Sequence, residues 1–209
     1  MLLKRSPLLI FAALMFMTGC GGSSGGSQSS TSSAATSSSA TGGQEAAGAL
    51  GADARSAATG DIPDTQNFLT LTAPRVRISM LHPEGWTVQD AASTASISDK
   101  NNLVRITLSR AAAPTVASVQ AQMAALMQSA PSLTVGTPHP LTLKSGPAVK
   151  VTYSTQSAPN PVTGKQVTLT VDRYVLAHAG RVAVVDLETP VGVDNVHAYR
   201  RMIESFKWQ

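Results

Sequence analysis

Hydrophobic and polar residues alternate in several short segments of this chain. In residues 75–80 (RVRISM), Val76, Ile78 and Met80 fall on one face, and residues 103–109 (LVRITLS) repeat the same two-residue period. Because successive side chains of a strand point to opposite faces, this period predicts β-strands with one buried face.

Two further pairs of alternating segments are joined by turn residues: 141–144 with 148–153 through Ser145-Gly146, and 166–178 with 181–187 through Ala179-Gly180. Both pairs predict hairpins. With a two-residue turn in the second hairpin, Arg173 lies opposite Asp186, and Val175 lies opposite Val184. We interpret the Arg173–Asp186 pair as a surface contact that fixes the strand register, in preference to a catalytic role.

A helical period replaces the alternation in two places. Residues 116–130 carry an apolar stripe that ends at Pro131, and its members are Val116, Val119, Met123, Leu126 and Met127. We interpret the methionines as core residues, since no His or Cys accompanies them at the spacing of copper ligands.

The last helix is predicted to begin after Asp194, a favourable N-cap residue. Its apolar face consists of Val196, Tyr199, Met202, Ile203 and Phe206. The predicted elements follow the order strands, helix, hairpin strands and final helix, which indicates an α+β domain. In it, an antiparallel sheet of about six or seven strands is flanked by helices.

Three landmarks between Phe68 and Trp208 resemble a known family. They are Leu81-His82-Pro83-Glu84-Gly85-Trp86 after a strand, Leu143 with Gly146-Pro147-Ala148 and Tyr153, and a terminal helix ending in Ile203-Glu204-Ser205-Phe206. The segment resembles the PsbP-like superfamily, which includes the LpqN-type and DcrB-type bacterial lipoproteins. The resemblance implies an α/β/α sandwich around a central antiparallel sheet. It also implies a binding or assembly module without a shared catalytic centre.

The N-terminus has the pattern of a lipoprotein leader. Lys4 and Arg5 precede an apolar run, PLLIFAALMFM, which Met17-Thr18-Gly19-Cys20 closes. The run is about half of the roughly 20 residues that a membrane-spanning helix needs, so it is typical of a secretion signal. Cys20 is the single cysteine, and its place resembles a lipobox. We therefore predict a signal peptide over residues 1–19 and lipidation of Cys20.

Residues 20–60 consist largely of Gly, Ser, Thr and Ala. This composition lacks the apolar residues of a core and predicts a disordered tether between Cys20 and a globular domain at residues 61–209. Forty such residues span about 35 Å on average. We expect the lipid to attach the protein to the cell membrane or the outer membrane, facing the periplasm or the cell exterior.

The charge of residues 61–209 argues against nucleic-acid binding. Three of the chain's 16 basic residues and two of its 12 acidic residues precede Asp61. Residues 61–209 therefore contain 13 basic and 10 acidic residues. No cluster of Lys and Arg is long enough to follow a phosphate backbone.

Candidate catalytic and metal-binding residues are few. His82, His139, His178 and His197 are not spaced as zinc ligands, and we expect each to be an exposed polar residue. Asp172, Asp186 and Glu188 form a candidate cation site, although solvated strand charges are the favoured interpretation. We expect Trp86 to pack in the core and Trp208 to be partly exposed.

These observations favour a non-catalytic module that binds an envelope protein, and we expect no cofactor, no metal site and no catalytic residues. A carrier of a small or lipidic ligand is the first alternative. A hydrolase or transferase on the same sheet is the second. A polar cleft converging on a histidine would favour the enzyme, and an apolar cavity between helix and sheet would favour the carrier.

Overall fold

A computed structural model of the chain describes residues 59–209. Two helices lie within this segment, α1 (Val116–Ser129) and α2 (Val196–Glu204). Its strands, in chain order, are β1 (Phe68–Ala73), β2 (Ile78–Pro83), β3 (Thr87–Asp90), β4 (Thr94–Asp99), β5 (Asn102–Arg110), β6 (Thr134–Val135), β7 (His139–Leu143), β8 (Gly146–Gln156), β9 (Thr168–His178), β10 (Arg181–Pro190) and β11 (Lys207–Trp208). No helix of this segment is long and apolar enough to cross a membrane.

The strands form two antiparallel sheets. The larger has eight strands in the order β3-β4-β5-β10-β9-β8-β6, with β7 also paired to β8. The smaller has three strands in the order β1-β2-β11. The predicted α+β class, an antiparallel sheet flanked by helices, is confirmed, whereas the separate small sheet was not predicted.

The β9–β10 hairpin has the predicted register. Arg173 lies opposite Asp186, and Val175 lies opposite Val184. Its two turn residues both have positive φ, 49° at Ala179 and 73° at Gly180. A type I′ turn requires positive φ at both central residues, and its twist matches that of the flanking strands.

Helix α1 begins at a capping box, in which Thr115 and Ser118 each accept a hydrogen bond from the other's backbone N–H. Of its predicted apolar stripe, Val119 and Met123 are buried in a hydrophobic cluster, and Val116 and Leu126 are partly buried against that cluster. Met127 is 40% exposed, so the prediction that it belongs to the core is wrong.

Helix α2 differs from the prediction at its start. The N-cap residue is Asn195, not Asp194, although the Asp194 carboxylate accepts a hydrogen bond from the Val196 N–H at 3.2 Å. Val196 is 59% exposed, so its predicted place on the buried face of α2 is wrong. The rest of the predicted apolar face is buried: Tyr199, Met202, Ile203 and, after the helix, Phe206.

The two faces of the larger sheet bury separate hydrophobic clusters. One face packs against α1, through Val119 and Met123. The other packs against the small sheet and α2, through residues such as Met80 and Met202. This arrangement gives three layers, with the larger sheet in the middle.

Both outer edges of the larger sheet are short. At one end, β3 has four residues. At the other, β8 is paired with two separate pieces, the two-residue β6 and the five-residue β7, which contains Pro140. Proline lacks a backbone N–H and is therefore tolerated in a sheet mainly at an edge.

The chain enters this fold at Gly60. Its backbone oxygen accepts hydrogen bonds from the side-chain amides of Asn102 at 2.6 Å and Asn195 at 3.3 Å. Asn195 also accepts a bond from the Ile62 N–H at 2.8 Å and donates one to Thr189 at 2.7 Å. We call these five residues the asparagine node. It joins the entry of the chain to β5, β10 and the start of α2.

Candidate functional site

A group of charged residues lies on the sheet face that α1 partly covers. Arg105 of β5 lies opposite Asp186 of β10, and Asp186 lies opposite Arg173 of β9. Glu188 follows Asp186 by two residues, and Tyr153 of β8 lies on the same face. The two-residue period of the strands thus brings these five side chains together on one face.

Arg173 and Asp186 form a bidentate pair at the centre of this group. The Nε of Arg173 lies 2.7 Å from one Asp186 oxygen, and an Nη lies 2.8 Å from the other. The side chains are only 17% and 7% exposed. The predicted register is therefore confirmed, whereas the predicted surface location is wrong, since α1 and the β8–β9 connection flank this face.

Tyr153 and Met123 surround the same guanidinium. The Tyr153 hydroxyl accepts a hydrogen bond from Arg173 at 3.3 Å, and the guanidinium carbon lies 5.3 Å from the centre of the Tyr153 ring. A guanidinium nitrogen also lies 3.8 Å from the sulfur of Met123. These contacts hold the Arg173 side chain in place.

The protein environment shifts the ionisation of three of these groups. Burial, together with the negative charge of Asp186, raises the pKa of Tyr153 to about 12. Burial acts to lower the pKa of Arg173, but the hydrogen bonds and charge of Asp186 outweigh it and raise that pKa. Burial also raises the pKa of Glu188, and the nearby positive charge of Arg105 offsets part of that rise.

An open cavity of about 720 Å³ lies above this group. Its walls include the end of α1 and the β8–β9 connection, residues 157–167. Four basic side chains line it, Lys100, Arg105, Lys165 and Arg173, against two carboxylates, Asp186 and Glu188. Lys100 is also paired with Asp99 at 3.7 Å, which leaves an excess of one positive charge. We call this cavity the charged cleft.

Arg105 and Glu188 form the more accessible ion pair of the charged cleft. Their nearest charged atoms are 3.6 Å apart, and the side chains are 47% and 10% exposed. Arg105 is therefore free to contact a ligand without disturbing the buried Arg173–Asp186 pair.

The structure does not assemble the candidate cation site. Asp172 lies on the opposite face of β9 from Arg173, where it contacts Lys150 at 2.8 Å and the Thr152 hydroxyl at 2.6 Å. Asp186 and Glu188 remain in the charged cleft. Within residues 59–209, no three His, Cys, Asp or Glu side chains are grouped closely enough to hold a metal ion.

The four histidines are separate from the charged cleft, whose lining within the described segment contains none of them. His139, His178 and His197 are exposed, as expected. His82 is only 8% exposed, with its Nδ1 3.0 Å from the Pro83 oxygen. Its predicted exposure is wrong, because β2 lies between β1 and β11.

Both tryptophans lie where the sequence indicated. Trp86 is partly buried against the main hydrophobic cluster. Trp208 is also partly buried, with its ring 5.3 Å from Phe206 in an edge-on arrangement and 5.2 Å from the Arg181 guanidinium. Neither ring lines the charged cleft.

Cys20 and the predicted tether, apart from Thr59 and Gly60, lie outside the described residues, so lipidation stays a prediction. The sequence missed Arg105 and Tyr153 as members of a site. The available signal was a charged residue inside an alternating apolar strand, such as Arg105 in LVRITLS.

Comparisons with known proteins find similarity in structure only. No protein-family model matches the chain, and no curated protein is significantly similar to it. The fold is similar to the solution structure of cyanobacterial PsbP from Synechocystis, with 12% identity, 72% of this chain and 98% of that chain covered, and a TM-score of 0.48.

Two other solved structures are similar to a comparable degree. The Ran-binding protein Mog1p of Saccharomyces cerevisiae is 10% identical, with 68% of this chain and 95% of that chain covered and a TM-score of 0.47. A crystal structure from Bacteroides thetaiotaomicron is 12% identical, with 67% and 48% covered and a TM-score of 0.42. These likenesses concern the fold alone, and the assignment to the LpqN-type and DcrB-type lipoproteins stays a prediction.

Proposed function

We propose that this chain is a lipid-anchored protein of the cell envelope whose folded domain binds a protein partner through the charged cleft. The leader that ends at Cys20 supports the anchor. The observation that carries the binding role is the cleft itself, an open cavity of about 720 Å³ over ion-paired side chains.

Two of the buried groups of the cleft are poorly suited to proton transfer. Arg173 is held by Asp186, and the pKa of Tyr153 is raised to about 12. Neither group exchanges protons readily near neutral pH, where a general acid or base has to work. No histidine lines the cleft among the described residues, so the feature that would favour an enzyme does not occur there.

The excess of positive charge indicates an acidic partner segment. Complementary charge speeds the encounter of two proteins and fixes their orientation. A tether raises the effective concentration of the domain near the membrane, so a weak interface is sufficient for a membrane-bound partner.

Photo-crosslinking tests the cleft as the binding surface. Val162 is 90% exposed and follows the lining residue Pro161. Val88 of β3 is 37% exposed and lies opposite Ile97, which is buried on the other face of the sheet from the cleft. A photoreactive amino acid at position 162 is expected to form a discrete adduct in cells, and one at position 88 is not.

The same adduct is expected to disappear when Arg105→Gln and Lys165→Gln are combined, and to persist with Arg110→Gln. Arg110 is a matched control, since it is exposed at the end of the same strand, β5, and does not line the cleft. An adduct that survives loss of both cleft cations, in a protein with unchanged circular dichroism, would exclude the cleft as the interface.

Lipid attachment is tested separately on Cys20. Labelled palmitate is expected to appear in the wild-type protein and not in Cys20→Ser, with Cys20 as the first residue of the mature chain. Equal labelling of both proteins, or a different mature N-terminus, rules out the anchor without affecting the binding role.

One observation favours ligand carriage as a second candidate function. A cavity of about 470 Å³ lies between the start of α1 and the β7–β8 hairpin, and Val116, Leu141 and Val149 are among its apolar walls. A lipid that co-purifies with the wild-type protein but not with Val149→Trp, which fills the cavity, would support carriage.

A further inference from the structure

A third cavity lies on the sheet face opposite the charged cleft. It has a volume of about 250 Å³ and lies between α2, the connection from β10 to α2, and strands β8 to β10. We call it the tyrosine pocket and define it by six lining residues: Lys150, Tyr174, Leu187, Val193, Tyr199 and Arg200.

The wall of the tyrosine pocket is held by buried hydrogen bonds. The hydroxyl of Tyr199 donates to the Glu188 backbone oxygen at 2.6 Å. Asn195, which also lines the pocket and is 2% exposed, donates to the Thr189 hydroxyl at 2.7 Å. Side chains fixed in this way lose little further freedom when a ligand binds, which favours affinity.

The charges of the pocket favour an anion. Lys150 and Arg200 are basic, and Asp172 is the acidic residue of the lining. Asp172 is already engaged, since its oxygens contact the Lys150 ammonium at 2.8 Å and the Thr152 hydroxyl at 2.6 Å. One positive charge is left in excess. It belongs to Arg200, whose guanidinium forms no ion pair with another residue of the described segment.

The remaining lining is largely apolar. Leu187, Pro190, Val193 and Val196 contribute side chains, and the Lys150 ammonium lies 5.2 Å from the centre of the Tyr174 ring. The cavity volume of about 250 Å³ equals about eight water molecules at roughly 30 Å³ each. A fitting ligand is therefore small, apolar over most of its body and singly negative at one end.

We propose that the tyrosine pocket binds a small organic carboxylate with an apolar body. Its carboxylate contacts Arg200, because a guanidinium matches a carboxylate with two parallel hydrogen bonds. Its body lies against Tyr174 and the apolar wall. The single excess charge and the apolar lining favour this ligand over inorganic phosphate, which carries more charge and no apolar part. This pocket is independent of the charged cleft.

Benzoate, its neutral isostere benzamide and inorganic phosphate are suitable probes for a titration of the full chain by NMR. The backbone amides of Gly192 and Val193, both in the lining, report occupancy of the pocket. Benzoate is expected to cause saturable shifts and to bind roughly tenfold more tightly than benzamide, since a charge-assisted hydrogen bond contributes about that factor.

Arg200→Gln is expected to weaken benzoate binding roughly tenfold and to leave benzamide binding unchanged. Arg201→Gln is the matched control, because Arg201 is the next residue of α2 and its guanidinium lies 4.3 Å from the Phe68 ring centre. Lys150→Met provides a second variant on a different element and is also expected to weaken benzoate binding.

Three results overturn the proposal: equal affinity for benzoate and benzamide, tighter binding of phosphate than of benzoate, or equal losses in Arg200→Gln and Arg201→Gln. The absence of saturable shifts up to about 10 mM benzoate would mean a dissociation constant weaker than millimolar, and it also overturns the proposal.

Discussion

Arg173 and Asp186 illustrate how the surroundings decide what a pair of residues contributes. On a strand surface, such a pair contributes about 0.2–1 kcal/mol. Here both side chains are largely buried and joined by two short hydrogen bonds. Removing one partner leaves a buried charge without its counter-ion, which costs much more than the pair contributes.

We expect Arg173→Met to lower the free energy of unfolding by about 3 kcal/mol, because Asp186 stays charged in a buried position. The double variant Arg173→Met, Asp186→Leu is expected to recover most of this loss. Urea unfolding at constant m-value measures both effects.

Lys150→Met is the control for this experiment. It breaks the Lys150–Asp172 pair, whose side chains are 23% and 30% exposed, and should cost less than about 1 kcal/mol. A double variant that is as unstable as the single one would show that the loss comes from packing and not from the unpaired charge.

Glu188 is expected to make the free energy of unfolding depend on pH in the opposite direction to an ordinary paired carboxylate. Burial raises its folded-state pKa above 4.5, so the folded chain holds a proton that the unfolded chain has released. The free energy of unfolding therefore falls as pH rises through this range.

Glu188→Gln cannot ionise and is expected to gain stability relative to wild type between about pH 4 and about pH 7. The lost Arg105 contact is a minor factor, since that side chain is 47% exposed. Urea unfolding at the two pH values checks this. A variant whose stability relative to wild type falls as pH rises contradicts it.

At the scale of secondary-structure elements, the hairpins were predictable, whereas strands such as β3 and β4 were not. Ala179-Gly180 and the alternation around it determine the register of β9 and β10 locally. Strands β3 and β4 read TVQD and TASISD, in which Val88 and Ile97 are the only large apolar residues. β4 forms a strand because β5 offers it an edge, and β3 pairs in turn with β4, so the cause is tertiary.

The turn of the β9–β10 hairpin is strained at one residue, and a substitution there is expected to relieve the strain. Ala179 has φ of 49°, where a Cβ is unfavourable by roughly 1–2 kcal/mol. We expect Ala179→Asn to raise the free energy of unfolding by about 0.5–1 kcal/mol, because asparagine tolerates this conformation.

Thermal unfolding checks this variant against Ala112→Asn, an exposed residue before α1 that lacks a positive φ. The expected rise in melting temperature is about 1–4 °C for Ala179→Asn and none for Ala112→Asn. Equal changes in both would mean that the turn is not the cause.

At the scale of the whole molecule, the asparagine node ties segments that are distant in sequence. Asn102 is 1% exposed and Asn195 is 2% exposed, and the two side chains are joined at 3.1 Å. The sequence showed neither as important, because asparagine is common in turns and its partners are set only in the fold. The charged cleft could not be predicted for the same reason, since Arg105 and Tyr153 share one face only after four strands, β5, β10, β9 and β8, have paired.

We expect Asn195→Ala to lower the free energy of unfolding by about 2–3 kcal/mol. It leaves the buried Ile62 N–H without its acceptor and removes the amide that donates to Thr189 and Gly60. Asn102→Ala should cost a similar amount, and the double variant less than the sum, since the residues share bonds.

Asn101→Ala is the matched control for the node, being exposed and adjacent to Asn102, and should change stability by less than about 0.5 kcal/mol. Denaturant unfolding of the four proteins gives the coupling. Strict additivity of the two buried substitutions would mean that the asparagines act separately.

The short edges of the larger sheet bear on how densely this protein can crowd on a surface. Edge strands with free backbone groups recruit strands from neighbouring chains and so begin aggregation. Here one edge offers the four residues of β3, and the other is broken between β6 and β7 and carries Pro140. At the high local concentration that the proposed lipid anchor would produce, neighbouring copies would therefore meet without a long template for joining their sheets.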